Sequence, residues 1–102
     1  MRRQTKRWLD GDCPKGVLAI FDDPRTCDRY TVFYVEPVTD DGEYFSYVGM
    51  SGAPFHPQGF GQHGELRAHE VRMYRYQNKR YAARWSDLPE DCKRLVRQDL
   101  AA

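Results

Sequence analysis

Three short apolar segments in the first half of the chain predict β-strands. The run 17–21 contains only apolar residues and is followed by the turn-forming sequence Asp22-Asp23-Pro24. The segment 30–35 is rich in β-branched and aromatic residues, and because both its faces are largely apolar we expect a central strand. An Asp-Gly turn at 41–42 returns the chain into a third strand at 44–50. Strands joined in this way form an antiparallel meander.

The second half of the chain begins with a segment that favours a loop. Residues 51–64 include four glycines and two prolines, so we expect no regular element to run through them. The next segment, 65–76, lacks a clean period and fits either a helical turn or an extended edge. In residues 80–85, Tyr, Ala and Trp alternate with Arg, Ala and Arg, which is the pattern of a half-buried fourth strand.

The C-terminal segment has the features of one amphipathic helix. Pro89 suits a first helical turn, and the acidic residues Glu90 and Asp91 complement the positive end of the helix dipole. Apolar residues recur at helical spacing and form one stripe, at Leu88, Cys92, Leu95, Val96 and Leu100. We therefore predict an α+β fold, in which a three- to four-stranded antiparallel meander has one C-terminal helix packed on it.

The length of 102 residues is that of a single domain. We expect residues 1–102 to share one core, with residues 1–10 forming a frayed basic N-terminus. No apolar run approaches the roughly 18 residues of a membrane span, and the basic start of the chain leads into no apolar segment typical of a signal peptide. Cys13, Cys27 and Cys92 form no disulfide framework, which fits a reducing compartment. These features predict a cytoplasmic protein without a membrane partner.

The net charge of +1 hides an uneven distribution along the chain. Residues 8–65 carry three basic and ten acidic groups, a net charge of −7. Residues 66–85 carry six basic groups and one acidic group, a net charge of +5. Two interpretations follow: the basic segment meets a polyanion, or the two regions neutralise each other within the fold.

The basic segment interleaves cations with aromatic rings. Single-stranded nucleic acid is bound by this combination, because cations follow the phosphates and rings stack on the unpaired bases. The predicted nucleic-acid-binding residues are Arg72, Tyr74, Arg75, Tyr76, Lys79, Arg80 and Arg84. The alternative is an amphipathic strand, whose arginines are merely solvated and whose rings belong to the core. Recognition of duplex DNA is less well supported, since the predicted C-terminal helix begins with acidic residues.

The glycine-rich segment is the second candidate binding region. Residues 59–64 match the string G-x-G-x-x-G, but no strand precedes them and no acidic residue lies about 20 positions downstream, so a dinucleotide-binding unit is not expected. A glycine-rich turn can still present several backbone N–H groups to one phosphate or carboxylate. The predicted ligand-binding residues are His56, Gly59, Gly61, Gln62, His63 and Gly64. The alternative is a packed loop in which Phe55 and Phe60 fill the core.

Three segments carry a resemblance to known proteins. They are Phe55-His56-Pro57-Gln58-Gly59-Phe60-Gly61-Gln62-His63-Gly64, Asp28-Arg29-Tyr30-Thr31-Val32 and Asp87-Leu88-Pro89-Glu90-Asp91-Cys92. With these segments the chain resembles a group of small proteins encoded by bacteria, their phages and plasmids, over most of residues 17–100. The group has no established activity, so the resemblance implies only an accessory gene product of mobile DNA.

Neither a metal site nor a catalytic group is predicted. His56, His63 and His69 have no metal-ligand spacing, and the aspartates at 22, 23, 28, 40 and 41 lie where turns are expected. No nucleophile elbow surrounds Ser46, Ser51 or Ser86. We therefore expect no catalytic residues, no metal and no cofactor.

Three functional hypotheses remain open. The first is a non-enzymatic accessory protein that contacts single-stranded nucleic acid or a phosphate-bearing ligand through the loop 51–64 and the segment 67–85. The second is a small inhibitor or adaptor, of the anti-defence or host-takeover type, which covers a basic site on a host protein with acidic residues at 22, 23, 40, 41 and 43. The third is a small metal-dependent hydrolase. The oligomeric state is left open.

Overall fold

A computed structural model describes residues 9–51 and 61–101. Four strands form one antiparallel sheet in the order β1-β2-β3-β4, and two helices follow them. The strands are β1 Val17–Asp22, β2 Tyr30–Pro37, β3 Tyr44–Met50 and β4 Gly61–Arg67, and the helices are α1 Ala68–Gln77 and α2 Glu90–Ala101. Short 3₁₀ turns occupy Lys79–Tyr81 and Trp85–Asp87. The predicted α+β meander with a C-terminal helix is confirmed, and a second helix is added to it.

Strand β2 lies inside the sheet, as its apolar faces predict. It pairs with β1 on one side and β3 on the other, and Val32 and Phe33 are both buried although they point to opposite faces. In β1 the pairing shifts between Val17 and Ala19, so Leu18 is an extra residue in that strand. Leu18 and Ala19 therefore pack on the same face of the sheet.

The C-terminal helix covers one face of the sheet. On that face, strand residues such as Ile20, Val32 and Val48 contact Leu88, Cys92 and Val96, together with the fully buried Trp85. Leu95 is only partly buried and Leu100 is 37% exposed, so the predicted apolar stripe is buried along one side and open along the other.

Helix α1 covers the opposite face. Val71 is its one fully buried residue, and Tyr74 packs edge-on against Phe21 and Phe33, with ring centroids 5.2 and 5.1 Å away. The sheet is therefore the middle layer of three. Segment 65–76 shows no clean period because only a narrow stripe of α1 faces the core, while Met73 and Tyr76 face solvent.

The expectation that no regular element runs through 51–64 is wrong for its last four residues. They begin β4, which pairs with β3 from Gly61 opposite Met50 onward. A Cβ atom at Gly61 would lie 2.6 Å from Leu95, and one at Gly64 would lie 2.5 Å from the Tyr47 hydroxyl. These two glycines thus permit close packing on either face of the strand, instead of shaping a turn.

The predicted fourth strand at 80–85 is also wrong. Its pairing is limited to one bridge between Phe21 and Ala82 and a hydrogen bond from the Ala83 N–H to the Ile20 carbonyl. Alternation is present in this segment, but the chain here passes around the edge of β1, from the face covered by α1 to the face covered by α2. Trp85 is buried on the second face as a result.

Of the segment 1–10, for which the sequence predicts a frayed N-terminus, residues 1–8 lie outside the described part of the chain, and residues 9 and 10 make contacts within the fold. Leu9 packs against the core, and the Asp10 carboxylate accepts hydrogen bonds from the Ser86 N–H and hydroxyl. The neighbouring Asp12 accepts one from the Trp85 indole, at 2.9 Å. This stretch is therefore tied to the segment that precedes α2.

The three cysteines are not paired with one another in the described part of the chain. Cys13, Cys27 and Cys92 are separate free thiols. Within residues 9–51 and 61–101, no helix has the length and apolar character needed to cross a bilayer.

The antiparallel topology places the connections at two opposite ends of the sheet. The first end holds the β1–β2 turn and also Ser51 and Gly61, the last described residue before residues 52–60 and the first described residue after them. The second end holds the β2–β3 turn at 38–43 and the start of α1, where the Ala68 N–H donates to the Glu43 carbonyl.

Leu88, just before α2, and Leu100, near its end, offer a matched test of how the C-terminal segment contributes to the core. Leu88→Ala should lower the free energy of unfolding by about 2–5 kcal/mol, because the side chain is buried among core residues. Leu100→Ala should cost no more than about 1 kcal/mol, because its side chain is partly solvated. Urea denaturation measures both values. Equal costs would show that the helix is not seated as described.

Candidate nucleic-acid interface

The solvent-facing side of α1 gathers most of the predicted nucleic-acid-binding residues. His69, Arg72, Met73 and Tyr76 are spaced three or four residues apart and are all exposed, so they share one face of the helix. Lys79 and Arg80 continue this surface in the following 3₁₀ turn and are also exposed. We call these six residues the α1 outer face.

Two cations of the α1 outer face have no carboxylate partner within the described residues. In that part of the chain the Arg72 side chain makes neither a salt bridge nor a hydrogen bond, and the Lys79 ammonium lies 4.7 Å from the centroid of the Tyr76 ring. Glu70 is the acidic residue of the helix, and its carboxylate accepts a hydrogen bond from the Arg67 N–H at the helix start. Tyr76 is 72% exposed and Met73 is 56% exposed. The surface therefore combines available positive charge with accessible apolar groups.

Arg80 and Arg84 are partly neutralised by acidic residues from the first half of the chain. The pKa of Asp23 is lowered, chiefly by its hydrogen bond from Arg25 and to a smaller extent by the charge of Arg80. The pKa of Asp10 is lowered, chiefly by hydrogen bonds from Ser86 and to a smaller extent by the charge of Arg84. Internal neutralisation of the two charged regions thus applies to these arginines but not to Arg72.

Three of the predicted nucleic-acid-binding residues do not belong to the outer face: Tyr74, Arg75 and Arg84, the last of which lies just before the 3₁₀ turn Trp85–Asp87. The Tyr74 ring packs in the core against Phe21 and Phe33, so it is not available to stack on a base, and that part of the prediction is corrected. Arg75 is half-buried and lines a groove beside the helix instead.

That groove lies between the C-terminal turn of α1 and the edge of β1. Its volume is about 280 Å³, and its walls are mostly apolar. It is lined by Ala19, Ile20, Phe21 and Ala82, with Arg75, Tyr76 and Lys79 along one side. The outer face of α1 therefore adjoins an apolar depression with cations next to it.

The predicted ligand-binding residues are not gathered into one turn. His56 and Gly59 lie outside the described residues, and Gly61, Gln62, His63 and Gly64 are consecutive residues of β4. Successive residues of a strand point to opposite faces, so Gly61 and His63 approach α2 whereas Gly64 approaches Tyr47 on the α1 side. An anion cradle made by a glycine-rich turn is not formed by these four residues.

His63 instead joins a small polar cluster at the C-terminal end of α2. Its Nε2 atom lies 2.8 Å from Asp99 Oδ2, and the same oxygen accepts a hydrogen bond of 2.5 Å from the Tyr34 hydroxyl. Burial is the main cause that raises the pKa of Tyr34, and this hydrogen bond raises it further. These three residues line an open depression of about 340 Å³ with Glu36, Ser46 and Leu100. The cluster ties β2 and the edge strand β4 to α2.

Sequence reasoning missed Tyr34 and Asp99. Asp99 follows Cys92 by seven residues and Val96 by three, which places a carboxylate on the buried stripe of α2. A charged residue at such a position requires a partner inside the fold, and this was the signal that could have identified it.

No metal centre is formed by the described residues. Within residues 9–51 and 61–101, no three His, Cys, Asp or Glu side chains come together in a way that could hold an ion. Asp22 pairs with Arg29 at 2.6 Å and Asp23 pairs with Arg25 at 2.9 Å. The Asp41 carboxylate accepts hydrogen bonds from the Thr39 hydroxyl and the Glu43 N–H, as expected for a turn residue.

The predicted acidic surface is divided between the two ends of the sheet. Asp22 and Asp23 lie at the β1–β2 turn, whereas Asp40, Asp41 and Glu43 lie in or beside the β2–β3 turn. Because β2 is a full strand between these turns, the two groups are separated by its length. They do not form one continuous acidic patch.

Comparison of the chain with models of known protein families, with curated proteins and with solved structures gives no significant match. The resemblance to small proteins of bacteria, phages and plasmids stays a prediction.

A double-mutant cycle measures the link between Tyr34 and Asp99. Tyr34→Phe and Asp99→Ala should show a coupling of about 1.5–3 kcal/mol in urea denaturation, because a buried hydroxyl donates to a carboxylate. The cycle of His63→Ala with Asp99→Ala should give a smaller coupling, since the His63 side chain is 53% exposed and its charge is screened by solvent. The reverse order of couplings would contradict the described geometry.

Because the pKa of the Tyr34 hydroxyl is raised in the folded protein, we expect stability to change at alkaline pH. Because the folded state raises the pKa of Tyr34, its stabilising contribution is fully present below the unfolded value of about 10 and is lost as pH rises through the folded value. The free energy of unfolding should therefore fall more steeply above pH 10 in the wild type than in Tyr34→Phe. Parallel pH profiles would show that Tyr34 is solvated in the folded protein.

Proposed function

We propose that this protein binds single-stranded nucleic acid through the α1 outer face. The observation that supports this proposal is the presence of Arg72, Lys79 and the exposed ring of Tyr76 on one solvent-facing surface, next to an apolar groove. Cations of this kind bind phosphates, and an exposed ring stacks on an unpaired base. The partner is therefore a polyanion that carries accessible planar groups.

Single strands fit this surface better than duplexes do. The bases of a duplex are stacked and paired, so they reach neither the face of Tyr76 nor the groove beside it. Duplex recognition by a helix also needs polar side chains that reach base edges in the major groove. Met73 and Tyr76 occupy the middle of the exposed face of α1, where such side chains would be required.

The outer face provides a modest number of phosphate contacts. Arg72 and Lys79 have no carboxylate partner among the described residues, and Arg80 is only partly offset by Asp23. Three contacts to a single strand correspond to a slope of about −2 in a plot of log affinity against log salt concentration. Binding of this strength is salt-sensitive and tolerant of sequence.

The other parts of the first hypothesis, namely a second binding segment, a cytoplasmic location and an accessory role in mobile DNA, also belong to this proposal. Residues 51–61 are proposed to extend the surface, since Ser51 and Gly61 lie at the same end of the sheet as Phe21, which lines the groove. The acidic inhibitor is less well supported, because its acidic residues do not form one surface.

Two arginines on opposite sides of the sheet, Arg72 and Arg94, distinguish the loss of a phosphate contact from a general effect of net charge. Arg72→Ala should reduce the salt slope by about 0.7 and weaken binding to all sequences alike, because one phosphate contact is lost. Arg94→Ala removes the same charge from α2, on the other side of the sheet, and should leave the slope unchanged. Fluorescence anisotropy of a labelled oligothymidylate, measured at several salt concentrations, gives both slopes.

The aromatic contribution has a different signature. Tyr76→Ala should weaken binding by about 1–3 kcal/mol with little change in salt slope, whereas Tyr76→Phe should retain most of the affinity. Failure of the wild-type protein to bind any oligonucleotide at low salt, where electrostatic attraction is strongest, would refute the proposal. Equal losses for Arg72→Ala and Arg94→Ala would show that only net charge matters.

A further inference from the structure

The groove beside α1 is bounded by the edge of a strand. Its floor is the edge of β1, where the Ile20 carbonyl already accepts a hydrogen bond from the Ala83 N–H and where Phe21 is bridged to Ala82. The strand edge is therefore partly closed to a further strand at these positions. Ala19 and Ala82 have small side chains, and space remains above them.

From this geometry, and resting on the proposed function, we infer that the groove receives one unstacked base of the bound strand. A volume of about 280 Å³ lies just below the range of about 300–1,000 Å³ typical of sites for drug-sized ligands, so it suits a single planar ring system. Its mostly apolar walls provide the contact that an unstacked base loses when it leaves its neighbours in the strand.

Charge selects this occupant over a neutral apolar group. Arg75 and Lys79 line the same groove, and Arg72 lies about one helical turn before Arg75 on α1. A nucleotide satisfies both environments at once, because its base is planar and its phosphate is anionic. A hydrophobic side chain from a neutral protein partner would fill the groove but would offer no anionic group to Lys79.

The groove also predicts how the base is recognised. The side chains of Ala19, Phe21 and Ala82 carry no hydrogen-bonding groups, and the Ile20 side chain packs on the opposite face of the sheet. The base is therefore held by shape and apolar contact on the β1 side of the groove, and the hydrogen-bonding side chains of the lining, Arg75, Tyr76 and Lys79, lie along its other side. Lys79 lies over the Tyr76 ring at 4.7 Å, so the ring is held at the side of the groove with an ammonium group next to it.

Filling the groove without changing charge tests this inference. Ala82→Phe places a ring in the groove and keeps every cation, and Gln98→Phe adds the same ring to an exposed position of α2 as a matched control. Fluorescence anisotropy compares binding of labelled oligothymidylate with binding of an abasic oligonucleotide of equal length. Thermal melts verify the fold of each variant, and Ala82→Leu, which fills less space, provides a second test should Ala82→Phe unfold.

The expected results separate the groove from the rest of the surface. Wild type and Gln98→Phe should bind oligothymidylate more tightly than the abasic strand. Ala82→Phe should lose about 5- to 100-fold in affinity for oligothymidylate while keeping the wild-type affinity for the abasic strand and the same salt slope. Ala82→Leu should show a smaller loss of the same kind.

Three other results would overturn the inference, each in a recognisable way. Unchanged oligothymidylate binding by a folded Ala82→Phe shows that no base enters the groove, although the proposed function survives. Absence of wild-type binding to both strands refutes the proposed function itself. An acidic peptide with one tryptophan that binds wild type but not Ala82→Phe, while oligothymidylate binds both equally, assigns the groove to a protein partner.

Discussion

The burial of both faces of β2 is the constraint on which the rest of the structure depends. Val32 and Phe33 are adjacent, point to opposite faces and are almost wholly inaccessible to solvent. A four-stranded sheet with apolar side chains on both faces needs a cover on each, and a single C-terminal helix provides only one. Helix α1 provides the other, because Val71 belongs to the core cluster on that face and the Tyr74 ring packs against that of Phe33.

The two helices that cover the faces of the sheet determine where the candidate interface lies. A chain with one helix on each face has to pass around an edge of the sheet between them, and it does so at β1 through residues 79–84. This crossing creates the groove beside Phe21 and places Lys79 next to it. Because α1 uses only a narrow stripe for the core, most of its surface is left for cations and for the exposed ring of Tyr76. The basic surface is thus a consequence of how the second face is covered.

Sequence reasoning identified the elements whose patterns are strong and local. The three strands within 17–50 and the helix that follows Pro89 are correct, because their apolar periods are clear. It failed at β4 and α1, where tertiary contacts decide the structure: glycines at 61 and 64 serve close packing, and α1 has one fully buried side chain. The roles of Tyr74 and Tyr76 could not be separated, since only the helical geometry shows which ring the core uses. His63 was identified without its partners, which lie 29 and 36 positions away.

The most direct measurement is a two-dimensional NMR titration of the ¹⁵N-labelled protein with an unlabelled oligothymidylate at low salt. Binding through the α1 outer face predicts the largest amide shift changes at Arg72, Met73, Tyr76 and Lys79, together with Ala82 at the groove. Amides of α2 on the opposite face, such as those of Arg94 and Gln98, should remain unchanged. Shift changes confined to α2 or to the β2–β3 turn, or no changes at all, would contradict the account.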